Sequence, residues 1–172
     1  MSLRVRPESG DDVEAIHAVH LAAFPTSVEA ELVRALRADG DSEISLVAEQ
    51  GGDIVGHVML SRMSATGDGR AYRALGLGPV AVRPGTQGGG VGSELIRSAL
   101  TIAGTLGEEI VFVVGEPDYY ARFGFSAAAA APFASPYAGP YFMALWLRSD
   151  FDSPAAGSAD YAAAFGRLGE AG

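Results

Sequence analysis

Cysteine is absent from all 172 residues, which removes disulfides, thiolate nucleophiles and cysteine-based zinc sites together. That absence suits a reducing compartment. Long apolar runs are missing too. No stretch reaches the roughly 18 residues that a membrane-spanning helix needs. The N-terminal MSLRVRPESGDD turns polar within a few residues and has no apolar signal core. These absences lead to the expectation of a cytoplasmic protein with no membrane partner. Basic residues are few, 12 against 21 acidic, for a net charge of −9. Such a chain repels a phosphate backbone, so nucleic acid is not an expected partner. An acidic surface favours a cationic substrate such as an amine, although acidity also serves solubility. What is present is 48% hydrophobic residues, enough for one domain with a sizeable core.

The chain reads as one domain over 1–172, with a core at 3–148 and a small-residue tail at 149–172. Leu3–Arg6 is an expected strand, and Asp11 or Asp12 an expected cap for the helix that follows. In that helix Val13, Ile16, Val19 or His20, and Ala23 recur at helical spacing until Pro25 breaks it. Glu29–Ala38 reads as a second helix. Ile44–Gln50 and Asp53–Met63 form a hairpin about Gly51-Gly52. Ser64–Gly69 reads as a loop and Ala74–Val82 as a third strand. Val91–Ala103 is an amphipathic helix burying Leu95, Ile96, Ala99, Leu100 and Ala103. Ile110–Val114 is a continuous apolar run suited to a strand covered on both faces. Pro117–Phe123 reads as a short helix, Phe125–Ala129 as a brief strand, and Tyr141–Leu147 as another. Asp160–Phe165 is a candidate edge strand, and 127–140 carries no clear pattern. The expected fold class is α/β. A mixed central sheet has antiparallel strands at its N-terminal side, a central parallel β-α-β unit, and helices on both faces.

Between the third strand and its helix lies Arg83-Pro84-Gly85-Thr86-Gln87-Gly88-Gly89-Gly90-Val91-Gly92-Ser93. A glycine-rich turn that opens a helix presents bare N–H groups to an anion, aided by the helix dipole. Three phosphate-binding patterns compete for it. A P-loop requires lysine where Val91 stands, which argues against nucleotide hydrolysis. The letters of a dinucleotide fingerprint occur at Gly76–Ala81, but inside a strand rather than between strand and helix. The third pattern, Q/R-x-x-G-x-G/A, is satisfied in full by Gln87–Gly92.

In these residues the chain resembles the acetyl-CoA-binding motif of the GNAT (Gcn5-related N-acetyltransferase) superfamily. Upstream, Gly78–Pro84 looks like that family's central strand entering its turn. Downstream, Tyr119-Tyr120-Ala121-Arg122-Phe123-Gly124-Phe125 is similar to its Y-x-x-x-G-F element, in the form found in a bacterial branch of predicted acetyltransferases. The resemblance implies a splayed β-α-β unit and acetyl-CoA as acyl donor, with coenzyme A as product. The acceptor would be a small-molecule or peptide amine. Oligomeric state is left open, with a homodimer as one option.

By the same resemblance, Gln87, Gly88, Gly89, Gly90, Val91, Gly92 and Ser93 would hold the pyrophosphate. Val80, Ala81 and Val82 would pair with the pantetheine arm. Pro79 would mark the break between the splaying strands. Tyr120 would protonate the departing thiolate, with Tyr119 the weaker candidate. The base is less defined: water or bulk solvent leads, and among side chains Glu116 comes first, then His57 and Glu49. An N–H near Leu77 or Gly78 would face the thioester oxygen. Phe24, Pro25 and Glu29 would line the acceptor side. His17 and His20, three residues apart, lack a third metal ligand, and no metal is expected. Trp146 reads as core. The lack of cysteine supports direct attack by the amine in a ternary complex, with a serine route left open. A non-catalytic acyl-CoA sensor is the alternative.

Overall fold

Apolar runs buried on both faces build the middle of the sheet. The computed structural model describes residues 2–149 and 153–168. Strand β1 (Leu3–Pro7) pairs antiparallel with β2 (Ser42–Gln50), and β2 with β3 (Asp53–Gly67). Strand β3 pairs antiparallel with β4 (Arg70–Val82). Strand β5 (Ile110–Val114) then joins β4 in parallel and is itself flanked by antiparallel β7 (Phe142–Trp146). Two short strands complete the sheet. Strand β6 (Phe133–Ala134) pairs with β8 (Gly157–Asp160), and β8 with the far end of β3.

The parallel crossover from β4 to β5 is made by α3 (Val91–Thr105). Its apolar face packs Leu95, Ile96, Ala99 and Ala103 onto Leu46, Val58, Leu60, Leu75 and Val111 of the sheet. The opposite face is covered by α1 (Val13–Ala23) and α2 (Val28–Ala38), through Ile16, Val19, Leu32 and Leu36 against Val47, Met59 and Ala81. A third cluster centres on Phe112, which stacks on Phe142 at 5.3 Å and meets Phe133 edge-on at 5.1 Å. Burying a side chain of that size is worth about 1.5–3 kcal/mol. The short helices α4 (Pro117–Ala121), α5 (Ala127–Ala130) and α6 (Ala163–Arg167) fill the C-terminal end.

Several sequence expectations are corrected. The segment Ser64–Gly69 is not a loop. Strand β3 runs to Gly67, and the turn is Asp68-Gly69, both at positive φ (51° and 81°). Aspartate and glycine tolerate that conformation, so the pair closes a tight hairpin. Phe125–Ala129 is not a strand. Only Ser126 bridges to Ala144, after which four alanines form α5 with the Ser126 hydroxyl accepting from the Ala129 N–H at 3.1 Å. Alanine's helix preference explains the outcome. The Asp160–Phe165 edge strand is displaced: the strand is Gly157–Asp160, and α6 begins at Ala163. Neither Asp11 nor Asp12 caps α1 through its side chain. A 3-10 turn at Gly10–Asp12 leads in, and Asp12 accepts from the Ser9 N–H at 2.7 Å and from Arg6 at 2.7 and 3.0 Å. Of the tail at 149–172, residues 150–152 and 169–172 lie outside the described residues.

Candidate active site

The parallel pairing of β4 with β5 ends at Gly76, opposite Phe112. Beyond it, Leu77–Val82 continues to pair with β3 on its other side, with a register shift around Gly78-Pro79, whose peptide bond is cis. Proline has no N–H to donate to a ladder, so the irregularity falls where the sheet opens. A cavity of about 550 Å³ occupies the opening. Leu77, Gly78, Pro79 and Val80 form one wall; Val114, Gly115, Glu116 and Tyr120 form the other. Phe24, Glu29 and Leu32 close it from the helices, and Tyr137, Tyr141, Tyr161 and Phe165 from the C-terminal part.

The glycine turn follows β4 directly. Gly85, Gly88 and Gly90 have positive φ (96°, 87° and 82°), and a Cβ built on any of the three meets nothing within 4 Å. The turn is therefore an open concave backbone that L-residues would resist adopting. Gln87 uses its side chain to hold the turn: its Nε2 donates to the Val82 carbonyl at 3.0 Å. Gly90 is the residue before α3, so the N–H groups of the first helical turn point outward beside it. Among the described residues no protein acceptor takes the N–H groups of residues 88–92.

Helix α4 links the turn to the cavity. The Tyr119 hydroxyl lies 3.2 Å from where a Gly92 Cβ would stand, so Tyr119 faces the turn. Tyr120 faces the cavity, its ring perpendicular to that of Tyr119 at 5.0 Å. A Cβ on Gly115 would collide with the Tyr120 ring, so Gly115 is what lets that ring lie against the β5 exit. Burial, with a smaller contribution from Tyr119, pushes the Tyr120 phenol up to about 12.

The other expected site residues divide clearly. Val80 lines the cavity, whereas Ala81 is 1% exposed beneath α1 and Val82 is half-buried against α3. Ser93 sits in the first turn of α3 and accepts from Arg122 Nη2 at 3.4 Å. Glu116 is exposed at the cavity wall. Phe24 and Glu29 line the cavity and Pro25 does not. Glu49 lies 3.7 Å from Arg6 and away from the cavity.

His57 is also away from it, fully buried. It sits in a chain that ends on a carboxylate: His20 Nε2 to His57 Nδ1 at 2.8 Å, His57 Nε2 to Ser45 Oγ at 2.8 Å, and Ser45 Oγ to Glu8. Arg37 closes the chain with two bonds of 3.0 Å to Glu8. Since Glu8 can only accept, every donor points towards it, and each histidine carries its proton on Nε2. His20 is therefore a structural partner of His57. No metal-ligand cluster occurs among the described residues.

Sequence reasoning missed three contributors. Arg122 places a cation beside Ser93 and the turn, stacked 4.4 Å over the Tyr119 ring; its position inside the Tyr119–Phe125 motif was the available signal. Tyr137 and Tyr161 line the cavity from segments that carry no motif.

Residues 4–128 match the sequence profile described as acetyltransferase (GNAT) domain. The chain belongs to the GNAT acetyltransferase family. It is 38% identical over 120 residues to the uncharacterised N-acetyltransferase YjhQ of Escherichia coli (strain K12), covering 69% of this chain and 66% of that protein. This GNAT chain thus spans just under two thirds of YjhQ. It also resembles a GNAT family acetyltransferase from Brucella melitensis in complex with acetyl-CoA (TM-score 0.77, 33% identity, 95% of this chain and 98% of that one). The E. coli GNAT family N-acetyltransferase YhbS, in complex with CoA, superposes with TM-score 0.85 at 28% identity, covering 97% of this chain and 93% of that one.

Proposed function

We propose that this chain is an acetyl-CoA-dependent N-acetyltransferase that passes the acetyl group directly to an amine held in the same complex. The observation that carries the reading is the gap between β4 and β5 beyond Gly76, with an open amide turn at one end and the Tyr120 phenol in its wall. The relatives solved with acetyl-CoA and with CoA support the same donor here. The turn fits such a ligand, because its concave face is free of side chains and its N–H groups have no protein acceptor among the described residues.

In this reading the amides of residues 87–92 grip the diphosphate, with the Ser93 hydroxyl and Arg122 beside them. The edge of β4 left without a strand, through Val80, Ala81 and Val82, offers backbone groups to the amides of the pantetheine arm. The thioester supplies a carbonyl carbon open to attack and a thiolate leaving group. An N–H near Leu77 or Gly78 stabilises the oxygen as it gains charge. The amine nitrogen forms a bond to that carbon and the C–S bond breaks. Tyr120 gives its proton to the sulfur, and the nitrogen loses one to Glu116 or to water. A phenol near 12 is a weak donor by ordinary standards. The burial that raises it also raises a thiolate brought against it, which keeps the two matched.

Coenzyme A release with acetyl-CoA and a panel of amines tests the reading. Thiol appearing only when an amine is present supports it. Tight binding of acetyl-CoA with no transfer to any amine would favour a sensor instead.

A further inference from the structure

Four of the six aromatic side chains around the cavity (Tyr137, Tyr141, Tyr161 and Phe165) come from beyond residue 128, where the family profile ends. This wall therefore lies outside the segment that defines the family. Resting on the transferase reading for turnover but not for binding, we propose that the cavity selects a monoamine with a ring-bearing apolar body, an arylalkylamine, anchored by Glu29.

Two buried polar atoms in this one cavity have no hydrogen-bond partner: Glu29 Oε1 and the Tyr161 hydroxyl. An unpaired carboxylate oxygen sealed from water is costly, and a cation with N–H donors removes the cost. The Tyr161 phenol stays protonated because burial raises it far above its usual value, so its oxygen remains a neutral acceptor and donor. Among the described residues, Glu29 and Glu116 are the only charged side chains in the lining, and no arginine stands with them. An anionic acceptor finds no counter-charge here.

The shape of the lining decides among amines. Phe24, Tyr120, Tyr137 and Tyr161 present rings suited to a cation at short range and to an aromatic body beyond it. Leu32, Leu77, Pro79, Val80 and Val114 offer no side-chain hydrogen bond. A polyamine would need carboxylates at intervals, and Glu116, the second one, sits exposed at the edge. An aminoglycoside would leave its hydroxyls unpaired against these walls.

The test is titration calorimetry of 2-phenylethylamine into the protein, with and without coenzyme A, beside 2-phenylethanol, spermidine and kanamycin. The expected result is binding of 2-phenylethylamine, weakened about tenfold or more both for the uncharged alcohol and in Glu29→Gln. The alcohol uses unaltered protein, so the inference stays testable if the variant folds poorly. Equal binding of amine and alcohol overturns it, as does tighter binding of spermidine or kanamycin. Thiol release run alongside separates the two readings. Binding of 2-phenylethylamine with no turnover upholds the pocket and contradicts the transferase. Turnover of spermidine with no preference for the aryl amine does the reverse.

Discussion

At the scale of the residue, Tyr120 and Gly115 act as a pair. The ring occupies space that any side chain on Gly115 would take. Tyr120→Phe keeps the packing and removes the proton, so kcat should fall about 10²–10⁴-fold while acetyl-CoA affinity stays unchanged, read by steady-state kinetics and calorimetry. An unchanged kcat would remove the acid role. Gly115→Ala should also lower kcat, by displacing the ring, and the double variant should be no worse than Tyr120→Phe alone. Because the phenol is held near 12, its ionisation should not reduce kcat between about pH 7 and about pH 10. A fall in that range shared by Tyr120→Phe would point to another group.

The elements differ in how far they could be read from the sequence. The turn at Gln87–Gly92 and α3 were legible, because the glycines and the apolar spacing of the helix are local signals. So were β5 and the hairpin at Gly51-Gly52. The far half of β3 was not. Its Ser64–Gly67 residues are small and polar, and what makes them a strand is pairing with β4 on one side and β8 on the other. Strand β8 lies about ninety residues further on, so no local pattern announces the partnership. The acceptor wall was hidden for the same reason: Tyr161 and Phe165 belong to a small-residue tail whose placement depends on β8. Gly157 fixes that contact, because a Cβ there would strike the Thr66 carbonyl and sit 3.1 Å from Gly67 Cα. Gly157→Ala should therefore destabilise the protein by about 1–3 kcal/mol, seen as a lower Tm, and should weaken amine binding more than acetyl-CoA binding. An unaltered Tm would show that β8 is not held this way.

Across the whole molecule, the His20–His57–Ser45–Glu8–Arg37 chain ties α1, α2, β2 and β3 together in the interior. From the sequence, His57 is one of several candidate bases, after Glu116. Only the fold shows that it is spent on this chain. Burial, then the neighbouring His57, His17 and Arg37, lowers His20 to about 3. Burial lowers His57 as well, against the pull of Glu8. For Glu8, burial raises the carboxyl, but the nearby His57 and the bonds from Arg37 and Ser45 outweigh it and bring the group to about 2. All three are depressed in the folded state, so the unfolded chain binds more protons in acid. Their stabilisation is complete above the unfolded histidine value near 6.5 and is lost as the pH falls towards 3. From His20 alone the slope is about 1.4 kcal/mol per pH unit. Glu8 adds to it below about 4.5, down towards 2. Urea denaturation from pH 7.5 to 4 should show stability falling from about pH 6.5 downward and more steeply below about 4.5. A flat profile would contradict this account of the interior.

In the proposed function the turn between β4 and α3 is the seat of the cofactor's diphosphate. The most direct test is the dissociation constant for acetyl-CoA of the unaltered chain and of Gly90→Val, measured by calorimetry with Tm recorded for both. A β-branched residue at the positive φ of Gly90 should cost about 1–3 kcal/mol of local strain and crowd the concave face. The predicted result is clear binding by the unaltered protein and at least a tenfold loss in the variant at a Tm reduced by only a few degrees. Equal affinity in the two proteins, or no heat of binding at millimolar acetyl-CoA, would contradict it.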